Sequence, residues 1–324
     1  MKNSAKNVTN EVFVNHFSYA LGDEVNTVQQ AADHGRLLSS VETLKKAGFT
    51  QHHVCRPDTD AYQLAHRAVT SIQEHLGEVD AIIYATCLPL NGNIGSPDAY
   101  RETRDVKYLM DFPASHLQAD FELSRAMVIG LNQQACTAML GSLFVSRAIM
   151  NLDSQVNRVL CVTADRFPEN SIYEQAYNLI SDGAAACIVS RDPEGFRIVT
   201  SHAVTNGALS IASDDETVGS FFNYTHRVIH ETLEKGGLKI SDIDWIVPQN
   251  TNVIAWQIMC NLLPFDHERI HHPTLGHAGH VISGDNIINL KHLVESGDVR
   301  RGEKVLLFMA GYGLNWQCVI LEKV

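Results

Sequence analysis

The chain has 324 residues, with 25 Lys plus Arg against 37 Asp plus Glu and a formal net charge of −12. That balance argues against a nucleic-acid partner, because phosphate contacts need clustered cations, and leaves open a small anionic substrate held by a local patch. Hydrophobic residues at 45% and charged residues at 19% describe a globular chain. It is long enough for roughly two domains and for a core that needs neither disulfide nor metal.

The first residues, MKNSAKNVTNEVF, lack an apolar signal-peptide core, and no run of 18 apolar residues follows. Neither a secretory signal nor a membrane span is expected. The seven cysteines (Cys55, Cys87, Cys136, Cys161, Cys187, Cys260 and Cys318) are scattered without CxxC spacing. Free thiols in a reducing cytoplasm suit them better than a disulfide framework. Further on, AHRAVTSIQEHLGEVDAIIYATC reads as an amphipathic helix and a buried strand, followed by a long apolar helix and the strand NRVLCVTAD. The order repeats in THRVIHETLEKGGLKISDIDWIVPQN, a second helix and EKVLLFMAG. Near-continuous apolar strands alternating with helices predict mostly parallel sheets covered on both faces, in two similar α/β halves. The boundary is expected near Arg166–Ser171, giving halves 1–168 and 169–324. From Asp80 to Val159 the first copy is 18 residues longer than the second from Asp244 to Val305. The surplus is assigned to a loop or lid insertion at Asn91–Asp111, which would shape a pocket or a dimer contact.

Ligand sites in open α/β sheets lie at the carboxyl ends of strands, so the turns after AIIYAT, WIVP and VLLFMA and the turn around Cys136 are the places to look. In GLNQQACTAMLGSLFVSRAIMNL, Cys136 stands at the first turn of a helix expected to be buried all round by Met139, Leu140, Leu143, Phe144 and Ile149. Free N–H groups at a helix start lower a thiol's pKa and can hold an oxyanion; the alternative is an inert core cysteine. Trp245–Asn252 ends a strand in Pro248 and then offers Gln249, Asn250, Thr251 and Asn252, either as site groups or as turn chemistry. His271, His272, His277 and His280 crowd one loop, without HExxH or CxxC to support a metal. His280, beside Gly279 and close to a helix start, is the best acid–base candidate. Asp285 or Ser283 is expected to cap that helix and Gly297 to end it. Gly311 and Gly313 follow the last apolar strand and let backbone approach a ligand. No P-loop and no GxGxxG opening a helix is present, so ATP and dinucleotide readings lack support.

Taken in order, Cys136 at its helix, the PxxxN turn after WIV, the Gly-His turn, SDGAAACIV (Ser181–Val189) and the GxG turn resemble the thiolase superfamily. The closest branch is that of the β-ketoacyl-ACP synthase III condensing enzymes. The resemblance implies a thiolase-like five-layered αβαβα fold made of two duplicated halves, and a homodimer. It implies that Cys136 accepts an acyl group as a thioester, and that the Cys136 and Gly313 N–H groups form the oxyanion hole. Gly279, Gly311 and Asn252 would support the site. Gln249 stands where the family usually has His, and Gly279-His280 where it usually has Gly-Asn. Gln249 can donate a hydrogen bond but cannot shuttle a proton. The expected activity is acyl transfer through Cys136, with His280 and Gln249 beside it. Carbon–carbon condensation with a malonyl-type thioester is the leading subtype. The alternatives are transfer to an O, N or S nucleophile, or a non-catalytic partner subunit. No resident cofactor is expected. The acyl donor would be an acyl carrier protein or acyl-CoA thioester. The family's coenzyme A contacts are not recognisable in Leu44–Arg56.

Overall fold

The structure, a computed structural model, describes residues 11–324 except 93–94, 111, 212 and 313–314. The apolar runs form nine strands: β1 (Phe13–Leu21), β2 (Ala81–Ala85), β3 (Met127–Leu131), β4 (Arg158–Asp165), β5 (Gly183–Ser190), β6 (Phe196–Thr205), β7 (Trp245–Pro248), β8 (Lys304–Gly311) and β9 (Asn315–Lys323). They hydrogen-bond in the order β7-β8-β9-β6-β1-β5-β4-β2-β3. β2 runs parallel to β3 and β4, and β7 runs parallel to β8, while the five middle pairings are antiparallel. The sheet is therefore mixed, with its parallel strands at the two ends, where the crossover helices leave. β1 pairs with β5 over most of its length but with β6 only at Phe13–Arg197 and Val14–Phe196. That two-residue hinge divides the sheet into two half-sheets. The division expected at 168/169 leaves β5 in the second half, yet β5 fills the gap between β4 and β1. The chain passes from one half-sheet to the other after β5.

Side-chain alternation along the strands sets the layers. In β4, Leu160 and Val162 face one way, into a cluster with Leu64, Ala65 and Ala68. Those three lie on helix α1 (Ala61–Thr70), whose buried residues fall at helical spacing behind an Asp60 capping box. Val159 and Cys161 face the other way, into a cluster that also holds Val305, Leu307 and Val319 of the second half. Helices α2 (Ala138–Leu152) and α5 (Asp285–Ser296) bring Met139, Leu140, Ile287 and Leu290 into this shared layer. The far face of the second half packs Leu306, Phe308 and Ile320 under α3 (Asp214–Gly236) and α4 (Val253–Leu262). The result is helix, sheet, helix, sheet, helix. Each fully buried aliphatic side chain stabilises this stack by about 1.5–3 kcal/mol.

Two local expectations change. Phe144 is 49% exposed and Leu152 89% exposed, so α2 buries one face and not its whole circumference. The insertion carries a 3-10 turn at Pro89–Gly92, a helix at Pro97–Thr103 and a second 3-10 turn at Val106–Leu109. β3, the edge strand of the first half-sheet, has no counterpart at the other end of the sheet order, so the surplus supplies a strand as well as a loop.

Candidate active site

The carboxyl ends of β2, β7 and β8 bring Cys87, Gln249 and Gly311 to one cavity of about 670 Å³, which Cys136 and His280 also line. Cys136 lies in a 3-10 turn, Ala135–Thr137, that runs directly into α2. Ala135 holds φ +46, a left-handed conformation that costs a non-glycine residue about 1–3 kcal/mol. Two contacts fix it there. Ser283 Oγ donates to the Ala135 carbonyl at 3.2 Å. Gly311 packs so closely that a Cβ on it would meet Gln134 O and Ala135 Cβ at 3.1 Å.

His280 follows Gly279, whose φ of +67 and ψ of −159 place it where side chains are strained; a Cβ there would lie 2.9 Å from Leu179 O. The ring is 4% exposed. Its Nδ1–H donates to Asp285 Oδ2 at 2.5 Å. Asp285, fully buried, also accepts from the Val281 N–H and the Asn250 N–H, each at 2.7 Å. Burial alone would lower the His280 pKa, but the Asp285 charge, its hydrogen bond and the Cys136 thiolate outweigh burial and raise it to about 10. With Nδ1 committed to Asp285, Nε2 is the ring nitrogen left for Cys136, whose acidity the ring shifts.

Cys136 is pulled the other way. Its thiol pKa falls to about 5, first through a hydrogen bond donated by the Cys87 thiol and then through the bond and charge of His280, against the opposing effect of burial. Holding that proton raises the Cys87 thiol far above its ordinary range. Both shifts favour a thiolate at Cys136 and an imidazolium at His280, with the Asp285 carboxyl group behind the ring. Such a thiolate is a nucleophile, and the ring beside it can give a proton and take one back.

The other expected residues divide. Gln249 lines the cavity, and its Oε1 accepts from the Ala310 N–H at 2.5 Å; because that donor fixes the amide's orientation, its NH2 is what remains for the cavity. Asn252 lines the cavity and caps α4, its side chain accepting from the Ile254 N–H. Asn250 is buried structure, donating to Gly279 O at 2.7 Å and to Thr274 Oγ1 at 2.9 Å. Gly313 lies outside the described residues, so the oxyanion-hole expectation rests on the Cys136 N–H alone. His271, His272 and His277 do not line the cavity, and among the described residues no three His, Cys, Asp or Glu side chains gather as metal ligands. Neither Asp285 nor Ser283 caps α5. Its N-cap is Gly284, and both side chains are turned to the site. Gly297 does end α5, with φ +74. No described residue from 92 to 111 lines the cavity.

Sequence reasoning passed over two residues. Asp285, five positions after His280, was assigned to helix capping; the spacing alone does not reveal that its carboxylate turns back to the ring. Cys87 directly follows the AIIYAT strand, at a carboxyl end already marked as a place to look, and stood out only as one cysteine among seven.

Two family models match this chain. One, for 3-oxoacyl-[acyl-carrier-protein] synthase III, covers residues 132–207, and one for the C-terminal part of the same enzymes covers 233–323; together they span just over half of the chain. The β-ketoacyl-[acyl-carrier-protein] synthase III of Wolbachia pipientis wMel is 23% identical over 304 residues, covering 86% of this chain and 89% of that protein. Among solved structures, the 3-oxoacyl-(acyl carrier protein) synthase III FabH of Pseudomonas aeruginosa PAO1 superposes with a TM-score of 0.79 at 20% identity, over 97% of this chain and 98% of that one. ChlB3, described as an acyltransferase, superposes with a TM-score of 0.78 at 17% identity, again over 97% and 98%. Those likenesses agree with the layered fold. The chain belongs to the β-ketoacyl-ACP synthase III-like family of the thiolase superfamily.

Proposed function

We propose that the protein is an acyltransferase that carries its acyl group on Cys136 and passes it to an O–H, N–H or S–H acceptor activated by His280. The supporting observation is that Cys136 and His280 share the wall of one cavity, with the His280 ring hydrogen-bonded to the buried carboxyl group of Asp285 behind it. In the first half-reaction the Cys136 sulfur attacks the donor's thioester carbonyl and the donor thiol leaves with a proton from His280. In the second, the acceptor gives its proton to His280 Nε2 and attacks the new thioester, and Cys136 leaves as a thiolate. The Asp285 carboxylate keeps the ring in the tautomer both steps need. The donor in this reading is an acyl carrier protein or coenzyme A thioester, the working form is a homodimer, and no resident cofactor takes part.

The described lining includes Phe221, Phe222, Ile254 and Ile258 and no Lys, Arg, Asp or Glu. That favours an uncharged, apolar acyl group over a carboxylated one, whose charge would meet no cation but His280, already paired with Asp285. Family descent supports a second reading, decarboxylative condensation with a malonyl-type thioester, in which the Gln249 NH2 and His280 would hold the thioester carbonyl. Intact mass after incubation with acyl donors tests the shared step: an acyl adduct on wild type that disappears in Cys136→Ala is expected. No adduct with any donor refutes both readings and leaves the non-catalytic subunit. Isotopically labelled malonyl thioester separates them, since label released as carbon dioxide and carbon retained in product together select condensation.

A further inference from the structure

The described cavity wall holds two cysteines, Cys136 and Cys87. The geometry points to Cys87 as a resolving thiol that closes a reversible disulfide with Cys136 when the site meets peroxide.

Three observations carry it. The two side chains share one cavity wall and each shifts the other's acidity, the Cys136 thiol downward and the Cys87 thiol upward. Both sulfurs are free, and the other five cysteines do not line this cavity. The cavity reaches solvent, since Tyr177, Ile254 and Ile258 in its lining are 44%, 47% and 43% exposed. Cys87 is held where it stands. Its N–H, the Leu88 N–H and the Thr86 hydroxyl all donate to the buried carboxylate of Asp165, at 2.7–3.1 Å. The proton-donor role does not itself require a thiol, because a Ser hydroxyl at that position would also donate to the thiolate. What sulfur adds is the capacity to form a covalent bond.

The chemistry balances. The Cys136 thiolate attacks one peroxide oxygen; the O–O bond breaks, an S–O bond forms, and hydroxide leaves, taking a proton from the His280 imidazolium to become water and giving a sulfenic acid. The Cys87 sulfur then attacks the Cys136 sulfur; the S–O bond breaks, the S–S bond forms, and the departing hydroxide takes the Cys87 proton and leaves as water. Two thiols lose two electrons and one peroxide becomes two waters. A thiolate with a lowered pKa is the form that peroxide oxidises, and a sulfenic acid with no second thiol nearby goes on to sulfinic acid, which does not return. Once Cys136 is a neutral sulfenic acid, the thiolate that held the Cys87 proton is gone, so the resolving sulfur is released when it is needed. A closed disulfide would also block acyl loading, because both events use the same sulfur; the inference itself does not depend on acyl transfer.

The test treats full-length wild type and Cys87→Ser with a modest excess of hydrogen peroxide. It then measures intact mass, maps peptides without reductant, and labels Cys136 with iodoacetamide before and after dithiothreitol. Wild type is expected to lose two hydrogens, to yield a linked Cys87–Cys136 peptide, and to regain full labelling with dithiothreitol. Cys87→Ser is expected to gain two or three oxygens on Cys136 and to regain none. Wild type that gains oxygens without the linked peptide, or that does not react, overturns the assignment. Should Cys87→Ser fail to fold, the linked peptide in wild type still decides the question.

Discussion

Replacing Asp285 by Asn asks whether the shared proton of the site belongs on His280 or on Cys136. The substitution keeps shape and removes one charge. Oδ2 accepts from both the His280 ring and the Asn250 N–H, and Oδ1 from the Val281 N–H. An Asn oxygen in the Oδ2 position keeps two of the three bonds and turns its NH2 against the Val281 N–H, at a cost of about 1–3 kcal/mol in stability. The larger consequence is electrostatic. The Asp285 charge is the leading influence raising His280 to about 10; without it, burial favours the neutral ring. A neutral ring no longer supplies the charge that helps hold Cys136 near 5. Losing a neighbouring charge moves a titration by about 1–3 pH units, so the thiolate midpoint is expected at about 6–8. The donated Cys87 bond remains and limits the rise.

The assay is the pH dependence of iodoacetamide labelling at Cys136, read as a midpoint and not as a rate at one pH. A less acidic thiol is a stronger nucleophile once ionised, and a rise of about two units makes each thiolate roughly tenfold more reactive. Labelling at neutral pH can therefore increase while the thiolate fraction falls. A midpoint that stays where wild type has it, in a variant whose melting and circular dichroism show it folded, refutes the electrostatic role given to Asp285.

Gln249→Glu keeps an acceptor for the Ala310 N–H and removes the NH2; turnover at pH 8 is expected to fall about tenfold to a hundredfold with the melting temperature little changed, and unchanged turnover means that the amide does not touch the reacting carbonyl. Gly279→Ala puts a Cβ 2.9 Å from Leu179 O at a positive φ and should cost about 1–3 kcal/mol in urea unfolding; a neutral result would mean that the turn before His280 relaxes freely. His52 is fully buried, with Nδ1–H donating to Ile180 O at 2.7 Å and no partner on the other nitrogen, and burial pushes its pKa to about 4. The unfolded chain therefore binds a proton below about 6.5 that the folded chain refuses. Stability contributed by the neutral ring is present above that pH and is lost as pH falls toward 4, by about 3 kcal/mol at the acid limit. Urea midpoints measured against pH should flatten in His52→Gln, and equal slopes in both proteins would sink that assignment.

The sequence by itself determined the elements and their order. Apolar runs such as AIIYA and VLLFM can only be strands covered on both faces, and the repeated succession of helix and strand fixes a layered α/β chain. It also isolated Cys136 and His280, because each stands at or close to a helix start, where backbone donors are left over, and it reached Gln249 after the WIVP strand through the family resemblance. What it could not carry is partnership across distance. Asp285 near a helix start reads equally well as a cap; only the Gly279 conformation and the position of the following helix turn its carboxylate onto the ring. Cys87 and Cys136 are 49 residues apart and meet because β2 and the turn before α2 end at the same edge of the first half-sheet. The side-chain periods that define helices and strands are local, spanning two to four residues. Hydrogen bonds and charges act over a few ångströms in space, whatever the separation along the chain, so the groups that set the acidity of a single thiol are chosen by the packing of two half-sheets around shared helices.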